Sequence, residues 1–381
     1  MLQLRHMIRV LLTGGGTGGH IYPLLVVADA LSAHQKMQDI RVSYCGPRNR
    51  YQEEFRMRDI RMYPILSSKI RRYASFQNII DIPKFFLSIF QAFITLYRIM
   101  PDVVFSKGGP GSLAVVLAAR FYLIPVIIHE SDSVPGLSNR IAGKMAQRIG
   151  VSFPESASYF PEKKTAVVGN PIRDVLTRMI SPEAAKTRLR FDSQKPLLVV
   201  LGGSQGSAEL NEFILRNLKV LLEKIQIFHQ CGDGNLKEVR EISRIALKEL
   251  DPSLRSRYRI EGFLGTDEMR DALSAADIVL SRSGSGAIFE IARSGKPAIL
   301  VPLKGSAREH QRENALSYAR SGAALIFERK NLTANVFLMK AEEILSDKDR
   351  YESMVRAAEA FSRPDAGKVI AEEIMRLAKA L

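Results

Sequence analysis

The sequence predicts an α/β protein built from two similar units that face each other across a cleft. The first observation is an internal repeat: DVVFSKGGPGSL at residues 102–113 returns as DIVLSRSGSGAI at residues 277–288, with five identical positions at a constant offset of 175. The second is the form of that repeat. An apolar strand passes through glycine and serine into a helix start, where α/β proteins bind ligands. The third is length, because 381 residues exceed one ordinary core.

Composition limits the partners that the protein can have. A chain with 46% hydrophobic and 25% charged residues is globular. Its formal charge of +15 indicates an anionic partner, which could be nucleic acid, an anionic membrane or a phosphorylated substrate. We expect no nucleic acid, because the sequence has neither a long Lys/Arg tract nor an RNA-binding aromatic signature. Cys45 and Cys231 lack zinc or redox spacing, which favours a reducing cytoplasm.

The first unit opens with a strand at residues 8–12, a glycine loop and a helix that begins near His20. Residues 14–19 have the G-x-G-x-x-G spacing of a dinucleotide fingerprint. The next strand, residues 41–45, ends without the acid that holds a ribose, which argues against nicotinamide and flavin cofactors. The glycines predict close backbone approach to an anion or sugar. His20 either titrates at this ligand turn or bonds its own loop.

The segment from Ser67 to Arg98 combines cations with an apolar helix. Lys69, Arg71 and Arg72 lie in an aromatic-flanked loop, and the helix after it has one narrow polar stripe. Asp81 and Pro83 interrupt the apolar run, and residues 85–97 are too few to span a bilayer. Two interpretations stay open: a surface that enters an anionic membrane, or an ordinary buried helix.

Polar residues follow two more predicted turns of the first unit. A predicted strand at residues 125–128 is followed directly by His129, Glu130, Ser131 and Asp132. Of these, Asp132 is expected at the ligand cleft. His129 either meets ligand or satisfies buried backbone.

A rigid Gly/Pro turn then presents Arg173, which is either a phosphate clamp or a surface arginine. We place the domain boundary in the region of residues 170–195. The last segment, residues 366–381, is expected to pack back on the first domain.

The second unit repeats the strand, loop and helix pattern. A weaker echo relates LLTGGGTGGH at residues 11–20 to VLGGSQGSAE at residues 200–209, whose loop can offer N–H groups and a hydroxyl to phosphate. Leu264 sits on a turn, where it packs either on a flat base or in the core. Glu290 lies one turn into the helix of the main repeat. It either accepts both hydroxyls of a ribose or is a solvated helix glutamate, and its apolar neighbours make an unpaired carboxylate costly.

Six motifs occur in an order that points to one enzyme family. They are GGGTGGHIYPLLVVADAL, HESDSVPGLSNRIA, VVGNPIR, LGGSQGS, SRSGSGAIFEIA and EHQRENA. In these motifs the chain resembles the MurG family, the peptidoglycan glycosyltransferases of family 28, from about residue 7 to the C-terminal helix. The resemblance implies a GT-B fold of two Rossmann-like domains with parallel sheets facing across a cleft. The acceptor and membrane-associated domain would be residues 7–170, and the UDP-GlcNAc domain residues 171–365.

The same resemblance implies a reaction and a location. GlcNAc would be transferred from UDP-GlcNAc to the MurNAc 4-hydroxyl of lipid I, giving lipid II, with inversion and without a metal or cofactor. The protein would lie on the cytoplasmic face of the cell membrane as a peripheral protein, in contact with anionic lipid through the segment from Ser67 to Arg98.

Individual residues receive roles from the resemblance. His20 resembles the general base or a contact to the acceptor pyrophosphate. The residues implied at the acceptor are Thr17, Gly18, Gly19 and Asp132. The residues implied to bind UDP-GlcNAc are Thr17, Gly18, Gly19, Asp132, Arg173, Ser204, Gln205, Leu264, Ser285, Gly286, Ala287, Glu290, His310 and Gln311. Among these, Arg173 and Ser204 match diphosphate contacts, Leu264 the uracil contact and Glu290 the ribose ligand.

Two positions depart from the pattern of many family members. Ser131 and Asp132 replace glutamine and asparagine, so an amide contact to the sugar becomes a carboxylate contact. His310 and Gln311 replace two glutamines, which favours Gln311 as the contact to the sugar 4-hydroxyl.

Three other functions remain open. A diacylglycerol glycosyltransferase would share the sugar-nucleotide half, and a UDP-GlcNAc epimerase would share the fold. A membrane scaffold that binds UDP-sugars without turning them over belongs to another class. The basic and apolar segment after Ser67 argues against the epimerase.

Overall fold

The computed structural model describes residues 7–34, 39–67, 76–303 and 309–380. The chain forms two compact units: the first comprises Met1–Ile172 with Pro364–Leu381, and the second Arg173–Arg363. The cations Lys69, Arg71 and Arg72, which the sequence places in an aromatic-flanked loop, lie outside the described residues.

Seven parallel strands form the sheet of the first unit, in the order β3-β2-β1-β4-β5-β6-β7. The strands are β1 (Ile8–Thr13), β2 (Ile40–Gly46), β3 (Arg61–Pro64), β4 (Val103–Ser106), β5 (Val126–Glu130), β6 (Arg148–Val151) and β7 (Thr165–Val167). The helices are α1 (Gly18–Ser32), α2 (Gln52–Arg56), α3 (Phe76–Ile99), α4 (Ser112–Phe121), α5 (Leu137–Met145) and α6 (Pro154–Ala157). The central strands β1, β4 and β5 are apolar runs buried along almost their whole length, because helices cover both faces of a parallel sheet.

Six parallel strands form the sheet of the second unit, in the order β10-β9-β8-β11-β12-β13. The helices in the first part of this unit are α7 (Pro182–Arg188), α8 (Ala208–Arg216), α9 (Leu218–Lys224), α10 (Leu236–Lys248), α11 (Pro252–Arg255) and α12 (Thr266–Ala275). The strands are β8 (Leu197–Leu201), β9 (Gln226–Gln230), β10 (Tyr258–Glu261), β11 (Ile278–Ser281), β12 (Ala298–Leu300) and β13 (Ala324–Ile326). The remaining helices of this unit are α13 (Ser285–Ser294), α14 (Glu309–Arg320), α15 (Ala334–Ser346) and α16 (Lys348–Phe361).

Both sheets share the strand order 3-2-1-4-5-6, counted within each unit, and the first sheet adds a seventh strand. This is the doubly wound order in which ligands bind at the carboxyl ends of the strands, where the order reverses. The prediction of two α/β units with parallel sheets is therefore confirmed.

The last helix, α17 (Ala366–Lys379), belongs to the first unit and packs on α1. Gly367 permits this approach, because a Cβ there would lie only 2.8 Å from Cγ1 of Val26. Ile370 and Ile374 of α17 are buried in the same core as Leu24 and Leu31 of α1. Burial of this apolar stripe returns the end of the chain to the first sheet.

Helix α3 is longer than the sequence suggests, because it continues through Asp81 and Pro83, where sequence analysis places an interruption. Length and composition alone would allow Ile82–Ile99 to cross a membrane, a test that the core helices of compact domains also pass. Ala92 and Leu96 are buried in the core of the first unit, whereas Phe90 is 61% exposed. An ordinary buried helix is therefore the wrong interpretation of this segment.

The glycine loops after β1 and β8 are equivalent in the two sheets, but the alignment that the sheets give differs by one residue from the alignment of the two sequence segments. The sheets pair Thr13 with Ser106 in the first unit and Leu201 with Ser281 in the second. Thr13 and Leu201 therefore occupy the same place, at an offset of 188, whereas the aligned letters of the weaker echo imply 189. His20 then corresponds to Ala208, so the second unit has no histidine at this place.

Candidate active site

The repeated aspartates anchor the two strands that carry the main loops. Asp102 Oδ2 accepts the backbone N–H of Arg9 at 2.7 Å, and Asp277 Oδ2 accepts that of Leu197 at 2.7 Å. Each bond joins the residue before β4 or β11 to the beginning of the neighbouring strand, β1 or β8. The repeat therefore starts with a structural group and not with a ligand-binding one.

The loops that follow these strands have different conformations. Gly108, Gly109 and Gly111 have φ values of 77°, 88° and 89°, in the left-handed region that favours glycine. In the second unit Gly284 has an ordinary φ of −68° and is the N-cap of α13. Helix α13 consequently begins two residues earlier in the repeat than α4 does.

His20 lies in a pocket made by two glycine loops. Its Nδ1 is 2.9 Å from Oγ1 of Thr17, the residue before α1. A Cβ on Gly15 would lie 2.9 Å from His20 Nδ1, and one on Gly109 would lie 2.7 Å from Nε2. The imidazole therefore bonds its own loop, as one sequence interpretation expects, and it also borders the loop after β4.

The surroundings of His20 keep its imidazole neutral. Its pKa is lowered to about 4, first by burial and second by the positive charge of Lys107, while the negative charge of Asp132 opposes both. At neutral pH the ring therefore carries no charge and has one nitrogen able to accept a proton. When Nδ1–H donates to Thr17, that acceptor is Nε2.

Lys107 joins the loops after β4 and β5. It is buried, its Nζ lies 2.8 Å from Nδ1 of His129, and it also contacts Oγ of Ser131. On its other side His129 Nε2 donates to the carbonyl of Gly169 at 2.8 Å. His129 is thus a buried residue that satisfies a backbone carbonyl, which is the second of the two interpretations that the sequence allows.

Glu130 shapes the loop that carries Asp132. Its carboxylate accepts the backbone N–H groups of Asp132 at 3.0 Å and Gly136 at 3.1 Å, and the side-chain amide of Asn139 at 3.0 Å. Burial raises the pKa of Glu130, and the three bonds supply the partners that a buried carboxyl group needs. The half-buried side chain of Asp132 is held at the carboxyl end of β5.

Gln230, at the end of β9, holds the first glycine loop of the second unit. Its Oε1 accepts the N–H of Gly203 at 3.0 Å, and its Nε2 donates to the carbonyls of Gly203 at 2.8 Å and Gly262 at 3.3 Å. Ser204 and Gln205 follow in this loop, half-buried and exposed respectively. One side-chain amide therefore ties the expected phosphate loop to the turn that precedes Leu264.

Arg173 and Glu290 form an ion pair inside the second unit. Arg173 Nε is 3.2 Å from Glu290 Oε1, and its terminal nitrogen donates to the carbonyls of Leu264 at 3.3 Å and Gly265 at 3.1 Å. Burial raises the pKa of Glu290, and the guanidinium opposes that rise. The side chain of Leu264 is fully buried. Three residues that the sequence assigns to the nucleotide thus meet at one place.

The first turn of α13 contains Ser285, Gly286 and Ala287, all half-buried. The N–H groups of a first helical turn have no partner within their own helix, and the helix dipole favours an anion there. These three residues are therefore placed where a phosphate or a sugar hydroxyl can be bound.

The start of α14 is fastened to the loop after β11. Ser283 Oγ donates to the carbonyl of Gln311 at 2.7 Å, and Asn314 Nδ2 donates to the carbonyl of Ser283 at 3.3 Å. Gln311 and its neighbour His310 are both half-buried. The structure thus brings Gln311 to the loop that precedes Ser285.

Sequence reasoning gave no site role to Lys107 or Gln230. The repeat carries a signal for Lys107, because the matching position holds Arg282 and keeps the charge. Gln230 has no such signal in the sequence, since its hydrogen bonds to Gly203 and Gly262 depend on the register of β9 against β8. Among the described residues, no group of three His, Cys, Asp or Glu side chains is arranged to hold a metal ion.

Comparison with known proteins places this site in a family. The model of the glycosyltransferase family 28 N-terminal domain matches residues 10–151, and that of the C-terminal domain matches residues 197–370. The chain is 37% identical over 378 residues to a Treponema denticola protein, with 95% of this chain and 96% of that one covered. That relative is named UDP-N-acetylglucosamine–N-acetylmuramyl-(pentapeptide) pyrophosphoryl-undecaprenol N-acetylglucosamine transferase.

Solved structures agree with this relationship. MurG of Acinetobacter baumannii superposes with a TM-score of 0.72 at 26% identity, covering 97% of this chain and 99% of that chain. A UDP-GlcNAc 2-epimerase of Neisseria meningitidis bound to UDP-GlcNAc has a TM-score of 0.67 at 15% identity, covering 97% and 100% of the two chains, which shows a shared fold alone. The chain therefore belongs to glycosyltransferase family 28 and, within it, to the MurG family of N-acetylglucosamine transferases.

Proposed function

We propose that this protein transfers N-acetylglucosamine from UDP-GlcNAc to the 4-hydroxyl of the N-acetylmuramyl group of lipid I, giving lipid II. The observation that carries the proposal is the similarity to a transferase of that activity over 95% of the chain. The arrangement of a neutral histidine in one unit and a carboxylate with helix N-termini in the other supports it.

His20 is the general base of the reaction. The acceptor hydroxyl loses its proton to the neutral imidazole, and the oxygen forms a bond to C1 of GlcNAc. The bond from C1 to the phosphate oxygen breaks, and its electron pair leaves with UDP. A single displacement inverts the configuration at C1. With its lowered pKa the imidazole is unprotonated over the whole neutral range, so the form that can accept the proton is the populated one.

The second unit holds the donor. Glu290 accepts the two ribose hydroxyls, since one carboxylate has acceptor sites for both. The first turn of α13, the loop with Ser204 and the charge of Arg173 stabilise the diphosphate as it leaves. Gln311 contacts the sugar, with His310 beside it.

The first unit contacts an anionic membrane as a peripheral protein. Helix α3 packs inward through Ala92 and Leu96 and leaves an apolar face exposed. The exposed face consists of Ile82, Phe86, Leu87, Phe90, Ile94 and Tyr97, and Phe121 and Leu123 at the end of α4 are also exposed. Aromatic rings of this kind enter the headgroup region, and neighbouring cations bind anionic lipid.

Vesicle binding tests the membrane contact. Changing Phe86 and Phe90 together to serine should reduce co-sedimentation with vesicles of anionic lipid about tenfold, because two exposed apolar side chains are lost. Ile245→Ser, on an exposed position of the second unit, is the control and should bind as wild type. Undiminished binding of the double variant would contradict this surface.

A coupled assay of UDP release tests the reaction. We expect release from UDP-GlcNAc only when lipid I is present, together with a lipid product that carries the GlcNAc. Release with diacylglycerol in its place would indicate a different acceptor, and sugar epimerisation without an acceptor would indicate an epimerase. Binding of UDP-GlcNAc with no turnover would indicate the scaffold.

A further inference from the structure

The loop after β4 carries a lysine that the proposed reaction does not use. Lys107 is 2% exposed, and its Nζ lies 2.8 Å from Nδ1 of His129 and contacts Oγ of Ser131. His129 lies near the end of β5, and Ser131 directly follows that strand. The buried ammonium therefore joins two loops at the carboxyl edge of the sheet.

The same lysine lies across a glycine from His20. A Cβ on Gly14 would lie 3.4 Å from Cβ of Lys107 and 3.6 Å from Cβ of His20. The backbone N–H of Lys107 donates to the carbonyl of Thr13 at 2.8 Å, which fixes the loop on β1. Two residues further on, Gly109 borders the imidazole. One short loop thus holds both the ammonium and a wall of the histidine pocket.

We propose that Lys107 is a positioning residue of the acceptor site with two effects. Its ammonium fixes the loop that carries Asp132, and its charge adds to burial in opposing protonation of the His20 imidazole. The second effect rests on the proposed function, since it changes the rate only when His20 is the base.

The charges around the two residues support this assignment. Lys107 follows burial as the second cause of the low pKa of His20, and Asp132 acts in the opposite sense. Burial lowers the pKa of Lys107 itself, and the negative charges of Glu130 and Asp132 oppose that shift and favour the ammonium form. Arg48, on the loop after β2, is a further charged residue whose backbone lies against the glycine loop.

Histidine titration tests the electrostatic effect directly. Nuclear magnetic resonance of protein labelled at histidine follows His20, whose signal is assigned with His20→Ala. Lys107→Met should raise the pH midpoint of His20 by about one unit, because a nearby like charge is removed. Lys107→Arg keeps the charge, and Lys163→Met removes an exposed lysine of the same unit. Both controls should titrate as wild type.

Kinetics test the consequences for turnover. In Lys107→Met the acid limb of the kcat/KM profile should move to higher pH by the same amount as the His20 midpoint. The KM for lipid I should rise about tenfold, while that for UDP-GlcNAc stays within about twofold, because the loop that carries Asp132 is released and most of the residues implied to bind UDP-GlcNAc lie in the second unit. Equal rises in both KM values would overturn the positioning effect.

The outcomes separate this proposal from the reaction on which it rests. An unchanged His20 midpoint in Lys107→Met would overturn the electrostatic effect, whatever the activity. Full turnover by His20→Ala would remove the base role and would leave the titration result standing. If Lys107→Met fails to fold, as judged by circular dichroism, Lys107→Gln keeps a hydrogen-bond donor and the same titration decides.

Discussion

The repeated segments of the two units begin alike and then diverge. Strands β4 and β11 start and end at equivalent residues, and Asp102 and Asp277 make the same bond to the neighbouring strand. After the strand, the first unit passes through three glycines of positive φ before α4, whereas in the second unit α13 begins two residues earlier in the repeat. The identical positions in and before the strand therefore maintain the sheet, whereas the glycines that both loops retain adopt different backbone conformations.

The cation in each loop shows the same divergence. Lys107 is buried and reaches side chains of the loop after β5. Arg282, at the matching position, is half-buried and donates to the carbonyl of Gly206 at 3.4 Å. A charge kept through the repeat thus contacts the end of β5 and the loop after it in one unit and a glycine loop in the other.

Removal of the histidine should have the largest effect. His20→Ala should lower kcat about 100- to 10,000-fold, because the general base is lost. The KM for UDP-GlcNAc should stay within about twofold, since most of the residues implied to bind the donor lie in the second unit and His20 is not among them. Steady-state assays with lipid I measure both constants, and His34→Ala at the end of α1 serves as control. Near-full kcat in His20→Ala would mean that the first unit does not supply the base.

Loss of the carboxylate in the second unit should follow in size. Glu290→Ala should raise the KM for UDP-GlcNAc about 10- to 100-fold, because bonds from a charged acceptor to the ribose are lost and Arg173 loses its partner. Glu249→Ala, an exposed carboxylate of the same unit, should leave that KM unchanged. An unaltered KM in Glu290→Ala would remove the ribose role.

A matched pair of glycine substitutions tests the divergence of the loops. Gly109→Ala forces a Cβ into a left-handed residue against the imidazole, so it should lower the free energy of unfolding by about 1–3 kcal/mol and reduce kcat. Gly284→Ala meets no atom within 4 Å at ordinary φ and should cost less than about 1 kcal/mol. Chemical denaturation measures both. Equal losses would show that the two loops are not distinguished by their backbone.

The smallest expected effect concerns the residue behind the phosphate loop. Gln230→Leu removes three bonds to Gly203 and Gly262 and should raise the Kd of UDP about 5- to 10-fold. Uridine, which lacks phosphate, should lose less affinity. Calorimetric titration with both ligands makes the comparison, with Gln194→Leu, an exposed amide of the same unit, as control. Equal losses for the two ligands would indicate general damage to the unit.

Local sequence patterns predict the strands and most helix positions, because apolar runs and glycine loops act over a few residues. They do not predict the start of α1: it begins at Gly18, two residues before His20. They also leave the exposure of α3 open, since an apolar helix face is equally compatible with a second covering layer.

Contacts between distant residues could not be read from the sequence. Arg173 and Glu290 are 117 positions apart, and their pairing depends on how α13 follows β11. The three bonds of Gln230 depend on sheet register, which places it beside Leu201. Resemblance to a family supplied the identities of most candidate residues, while the structure supplied Lys107 and Gln230.

Binding of UDP-GlcNAc to two variants tests the division of labour between the units most directly. Calorimetric titration should show that Glu290→Ala weakens the Kd about tenfold or more, while His20→Ala, inactive in turnover, binds within about twofold of wild type. The opposite result, with weakened binding in His20→Ala and unchanged binding in Glu290→Ala, would contradict the account.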